Sequence, residues 1–126
     1  EVDATMVGGP IVGSYGIVFR AQDANNWYSF LISGDGKFQL ACLYDNAGYS
    51  IVDWTPAAAV KGPGSVNPLR LVADGPQIGA YVNGELLAIE PYNVFRRGDI
   101  GLAAATPPEE RGVAVTFDNL RVTGLD

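Results

Sequence analysis

Through most of this chain, apolar and polar residues exchange places at every second position. Tyr15, Ile17, Phe19 and Ala21 alternate with Val18, Arg20 and Gln22; Phe38, Leu40, Cys42 and Tyr44 alternate with Gln39 and Leu43; Ile78, Ala80 and Val82 alternate with Gln77 and Tyr81. A period of two belongs to extended strands, whose successive side chains point to opposite faces. One face is apolar and the other mixed, as in two sheets packed on a shared core. No window of eleven or more residues carries a 3.6-residue period, and Ala57 to Val60 leaves room for one turn of helix between Pro56 and Gly62.

The 16 glycines and 8 prolines are spaced between runs rich in Val, Ile, Tyr, Phe and Leu, so they mark turns between strands. This predicts strands at 2–8, 15–22, 26–33, 37–44, 49–54, 68–74, 77–83, 85–90, 99–105 and 112–123. Gly34-Asp35-Gly36, Asp74-Gly75-Pro76 and Asn83-Gly84 have the positive-φ residues that tight hairpins need, so their flanking strands should pair antiparallel. In the last run Val113, Val115 and Phe117 keep one phase and Leu120 and Val122 keep another, which predicts an extra residue at Asp118-Asn119. The expected architecture is all-β, an antiparallel two-sheet β-sandwich forming one domain over residues 1–126.

Composition narrows the chemistry. The net charge is −6 with only 8 Lys and Arg, which argues against nucleic acid as a partner. No apolar run approaches the roughly 18 residues of a membrane span, so this domain is expected to make no membrane contact. There is no histidine, which removes Ser-His-Asp and Cys-His catalysis, His-ligated zinc and the usual neutral-pH general base. The single cysteine, Cys42, has neither a disulfide partner nor a second thiolate for a metal, and its apolar neighbours mark it as a core residue. The sequence opens at Glu1 within an alternating run, which reads as a piece of a longer protein.

An ordered series of short motifs then stands out: Tyr15-Gly16-Ile17-Val18-Phe19-Arg20, Asn26-Trp27-Tyr28-Ser29-Phe30, Gly36-Lys37-Phe38, Asn67-Pro68-Leu69-Arg70-Leu71, Tyr81-Val82-Asn83-Gly84, Gly98-Asp99-Ile100-Gly101-Leu102 and Phe117-Asp118-Asn119-Leu120-Arg121-Val122. The series resembles the concanavalin A-like lectin/glucanase jelly roll. It looks most like the bacterial branch related to laminin-G modules and the 3-keto-disaccharide hydrolase (DUF1080-type) domain. The resemblance implies a concave and a convex sheet in an extracellular or cell-surface bacterial protein. Domains of that family run longer, with strands ahead of the one that begins here. Were those absent, an unpaired edge would remain for another chain or segment to cover.

The same resemblance directs attention to Glu1-Val2-Asp3-Ala4-Thr5-Met6. Glucanases of this fold carry Glu-x-Asp-x-(x)-Glu on one strand, and retaining hydrolysis needs two carboxyls about 5 Å apart. Glu1 and Asp3 match the first two positions, but Thr5 and Met6 stand where the acid/base glutamate belongs. Glu109-Glu110, after Pro107-Pro108, reads as solvated surface. The expectation is therefore no enzyme.

Binding has more material. A sugar presents an apolar C–H face and a hydroxyl rim, matched by an aromatic ring with polar groups beside it. Arg20, Trp27, Tyr44, Trp54 and Tyr81 are the expected carbohydrate-binding residues on the concave sheet, with the aromatics alternatively filling the core. Arg20, a charge in mid-strand, must either face a solvated groove or pair with an acidic neighbour. No cofactor is required. A structural calcium would sit at Asp118 and Asn119, whose other reading is that the carboxylate caps backbone N–H groups of the bulge.

Three functions follow as expectations. The first is a non-catalytic extracellular recognition module that binds carbohydrate or a protein surface. The second is a glycan-processing hydrolase domain whose remaining catalytic groups lie outside this sequence. The third is a structural β-sandwich spacer.

Overall fold

The structure, a computed structural model, describes residues 1–107 and 112–124. Ten strands occupy the predicted runs: β1 (Val2–Gly8), β2 (Ser14–Asp23), β3 (Asn26–Ser33), β4 (Lys37–Tyr44), β5 (Ala47–Pro56), β6 (Val66–Asp74), β7 (Gln77–Val82), β8 (Glu85–Pro91), β9 (Asp99–Ala105) and β10 (Ala114–Asp118). Among the described residues there is no helix, and Ala57 to Val60 forms a single turn closed by the Val60 N–H on the Ala57 carbonyl at 3.1 Å. The strands form two antiparallel five-stranded sheets, in the orders β10-β1-β6-β7-β8 and β5-β4-β3-β2-β9. The apolar sets Tyr15, Ile17, Phe19 and Ile78, Ala80, Val82 are buried between them, as alternation requires.

Turn chemistry sets the register. Asn83 (φ 50°) and Gly84 (φ 78°) are both left-handed, the geometry of a two-residue hairpin whose twist matches its strands, and Val82 pairs with Glu85 across it. Asp45 (φ 50°) and Asn46 (φ 63°) do the same between β4 and β5, so Tyr44 pairs with Ala47 and Cys42 with Tyr49. Here the structure differs from the sequence reading, which began this strand at 49: Asp and Asn tolerate positive φ without a glycine to announce the turn.

Irregularities interrupt the ladders at several points, and two of them bear on the sequence reading. The extra residue at the end of β10 is present. Asp3 pairs with Asp118 and the Arg121 N–H donates to the Glu1 carbonyl at 2.8 Å, so three steps on one chain answer two on the other, with Asn119 at φ 56°. The strand proper stops at Asp118, short of the expected 123. The second irregularity, in β2, was not visible in the sequence. Arg20 has φ 48°, and register slips there against both β3 and β9. β1 lies between β10 and β6, and the sheet margins are β10, β8, β5 and β9.

The chain crosses from one sheet to the other between β5 and β6, and buried amides hold that crossing. Asn67 is completely enclosed. Its Oδ1 accepts from the Lys61 N–H and from Asn83 Nδ2, each at 2.9 Å, while its Nδ2 donates to the Lys61 carbonyl at 2.9 Å and the Tyr15 hydroxyl at 3.1 Å. Asn83 Nδ2 also reaches the Ala59 carbonyl at 2.7 Å. Both lone pairs and both amide hydrogens of Asn67 are used, which makes its enclosure tolerable. Asn67→Ala would orphan several buried groups together. The expected loss is about 2–4 kcal/mol, read as a lower denaturant midpoint at unchanged m-value.

Burial pushes the Tyr15 phenol above its ordinary pKa, with the Asn67 bond opposing that shift. Because the folded value is raised, its contribution to stability is complete below the unfolded tyrosine value near 10 and is lost as pH climbs through the folded one. Tyr15→Phe should therefore flatten part of the alkaline decline in stability, as seen in denaturation curves collected across that range.

Candidate functional site

One end of the sandwich is closed by the segment 92–98, which follows β8. Tyr28, on β3 and wholly buried, directs its hydroxyl into that segment and accepts the N–H groups of Val94 at 2.7 Å and Phe95 at 3.0 Å. Arg20 works beside it. Its NH1 nitrogen donates to the Gly75 carbonyl at 2.8 Å and the Phe95 carbonyl at 3.2 Å. The Gln22 amide bridges the Arg20 carbonyl, at 3.1 Å, and the Arg97 carbonyl. Tyr92 donates its N–H to the Pro76 carbonyl at 2.6 Å. Gly98 ends the segment so close to Arg20 and Ala21 that a Cβ would strike their backbone.

So anchored, the segment brings aromatic rings against those of the second sheet. Phe95 stacks on Tyr44 (6.1 Å between centroids, 26° between planes) and meets Tyr28 edge-on at 5.4 Å. Tyr92 also meets Tyr28 edge-on, at 5.7 Å, and Phe19 stacks on Tyr28 from the other side at 5.2 Å. The β4–β5 hairpin supplies Tyr44 and Tyr49, each 50% exposed. Tyr44, Tyr49, Tyr92 and Val94 wall a hollow of about 170 Å³ open to solvent. The hairpin tip is fixed by the neighbouring β2–β3 turn, where the Asp45 N–H donates to Asn26 Oδ1 at 2.8 Å and the Asn46 N–H to the Asn25 carbonyl at 3.0 Å. Bonds from the Asn25 N–H and the Asn26 amide hold the Asp23 carboxyl below its usual value.

Electrostatically the hollow is quiet. Burial, followed by the proximity of Cys42, Tyr28 and Tyr49, pushes the Tyr92 phenol upward. Burial likewise raises the Cys42 thiol, against a bond with Tyr92. Both groups therefore keep their protons at neutral pH, and Cys42, cross-strand from Tyr49 and Tyr28, is a buried core residue behind the hollow. What the hollow offers is flat apolar ring surface edged with hydroxyls that can donate and accept.

The five residues expected at the site are not gathered. Tyr44 lines the hollow. Arg20 is 9% exposed with its NH1 committed to backbone carbonyls; the bulge at its own position turned it inward, away from a solvated groove, and among the described residues it pairs with no acid. Trp27, cross-strand from Leu43, lies on the outer face of the second sheet, its indole N–H on the Ala24 carbonyl at 3.3 Å. Tyr81 lies on the outer face of the first sheet, with the Arg70 guanidinium 5.3 Å above its ring. Trp54 is on β5 where register slips, outside the hollow. No single sheet face unites them. Tyr49 and Tyr92 complete the site instead, and recognising Asp45-Asn46 as a turn would have placed Tyr49 opposite Cys42.

The remaining candidates have structural partners. Asp118 Oδ1 accepts the Asn119 N–H at 2.8 Å, the capping role, while Asn119 Nδ2 donates to Asp3 Oδ2 at 2.9 Å. No three carboxylate, thiol or imidazole side chains gather to hold a metal among the described residues. Glu1 lies 3.8 Å from Arg121. Glu109 and Glu110 fall outside the described residues.

Removing the anchor should be felt in stability. Tyr28→Phe leaves two backbone N–H groups without an acceptor and should cost about 1–3 kcal/mol. The melting temperature should fall, and proteolytic cleavage should appear first within 92–98.

No family model matches this sequence, and no curated protein matches it. Solved structures do. Carbohydrate binding module CBM66 from Bacillus subtilis superposes with a TM-score of 0.73 at 21% identity, over 94% of this chain and 69% of that one. Sheep galectin-11, in complex with glycerol, superposes with a TM-score of 0.63 at 13% identity, over 91% of this chain and 86% of that one. At these identities the likeness is one of fold. Two antiparallel five-stranded sheets, superposing on those two proteins, make this chain a jelly-roll β-sandwich.

Proposed function

We propose that this chain is a non-catalytic carbohydrate-recognition module of an extracellular bacterial protein, and that the tyrosine-walled hollow receives the sugar. The observation that carries this reading is the convergence of Tyr44 and Tyr49 from the β4–β5 hairpin and Tyr92 from the segment after β8 onto one small open cavity, on a scaffold that holds them before any ligand arrives. A pyranose or furanose ring laid against a tyrosine gains apolar contact through its C–H face, and its hydroxyls find phenol oxygens at the rim. A solved carbohydrate binding module and a solved galectin share the fold, which supports the same direction. The reading uses no proton transfer. Glu1 and Asp3, the nearest approach to a glucanase motif, are engaged by Arg121 and Asn119. It also draws on no bound ion.

A glycan array with the wild-type domain tests the reading, followed by calorimetry on whatever binds. Tyr44→Ala and Tyr49→Ala should each weaken the ligand about tenfold or more, roughly 1.4 kcal/mol. Their melting temperatures should move little, because both side chains are half exposed. Trp27→Ala and Tyr81→Ala should leave affinity unchanged. Binding that survives the tyrosine variants, or an array without a single bound glycan, would sink the proposal.

A further inference from the structure

A second, larger hollow of about 460 Å³ opens along the same side of the sandwich, between the margin strands β5 and β8. Phe38, Val52, Leu87 and Ala88 supply its apolar surface, and Glu85 and Glu90 line its β8 side. The two glutamates are misplaced by the rules of a sandwich. Glu85 pairs across the ladder with Val82 and Glu90 with Ile78, both fully buried core residues. Both carboxylates thus occupy positions on the core-facing side of β8, and among the described residues neither takes part in an ion pair. Such a position is tolerable for a charge only because β8 is a margin, where the space between the sheets stays open to water.

This slot and the tyrosine hollow are neighbours along β5 and the end of β8. Val52 lines the slot and Tyr49 the hollow, on the same face of β5; Glu90 lines the slot and Tyr92 the hollow, two residues apart. From Glu85 to Tyr92 the chain advances seven residues, on the order of 20 Å at the usual strand rise. The slot lining includes no lysine or arginine.

The geometry points to an uncharged oligosaccharide chain as the ligand, held by one unit in the tyrosine hollow and by further units along the β5–β8 slot. This rests on the carbohydrate reading above and adds length and charge to it. Glu85 and Glu90 are strong acceptors for sugar hydroxyls, while the apolar floor suits ring faces. The same two anions repel a chain that carries a carboxylate or sulfate on each unit.

Titration calorimetry with neutral gluco-, manno-, galacto- and fructo-oligosaccharides, from disaccharide to hexasaccharide, and with oligogalacturonates of the same lengths, decides the matter. Expected is a neutral series whose affinity rises about tenfold or more with length, beside oligogalacturonates that bind weakly or not at all. In the double variant Glu85→Lys/Glu90→Lys the ratio of hexasaccharide to disaccharide affinity should fall toward one, and oligogalacturonate should gain. Circular dichroism checks that the variant is folded, and the single variant Glu85→Lys, at an exposed position, serves if the double is not. Tyr44→Ala, by contrast, should weaken every length alike. A wild-type affinity independent of length, or a length effect that persists in the glutamate variants, overturns the slot and leaves the tyrosine site standing. Failure of every neutral series at every length overturns both.

Discussion

A guanidinium shut inside a β-sandwich must find oxygen atoms, and Arg20 finds them on two stretches of chain remote from it in sequence. Its bonds to the carbonyls of Gly75 and Phe95 join the β6–β7 turn, the bulge of β2 and the segment after β8. Among the described residues no carboxylate shares the task; backbone dipoles meet the charge, helped by incomplete burial. The Tyr28 hydroxyl completes the anchorage from within the core. Without these two side chains the connection that carries Tyr92, Val94 and Phe95 would keep only its end bonds, Tyr92 to Pro76 and Gln22 to Arg97, and the ring on which Tyr44 stacks would lose its anchors. The cavity is thus a product of core polarity, and its rigidity costs the fold one buried charge.

The period-two pattern told where strands run and which faces meet, since burying one face of each strand leaves little freedom in either. Asn83-Gly84 announced its hairpin because glycine at positive φ is an unmistakable sign; Asp45-Asn46 did not, because residues with a Cβ reach that region only by tolerance. The orientation of Arg20 escapes alternation for a related reason. A bulge adds a residue to one strand without altering composition, so alternation carried past it points the wrong way. The last strand betrayed its own irregularity because apolar residues stood on both sides of the slip, whereas after Arg20 only small or polar residues follow.

The candidate site was harder to see for a deeper reason. Periodicity separates the core side of a strand from its outer side but says nothing of how near that strand is to the margin of its sheet. Tyr49 and Glu90 are on the core side by register, yet both are reachable by solvent because β5 and β8 end their sheets. Searching for ligand residues among outward-facing positions therefore finds Trp27 and Tyr81, which adorn opposite outer faces. The informative positions are inward-facing ones on the outermost strands, and locating them requires the strand order, a property of the whole chain.

One consequence of the packing concerns sulfur. The chain has a single methionine and a single cysteine, and Met6 and Cys42 are both sealed in the core, at 0% and 1% exposure. With its thiol held protonated and its thioether out of reach, the folded domain offers oxidants no soft atom to attack. Peroxide or a shift in redox potential should leave the tyrosine-walled hollow without oxidised sulfur, and damage of that kind would record only those molecules that had unfolded first.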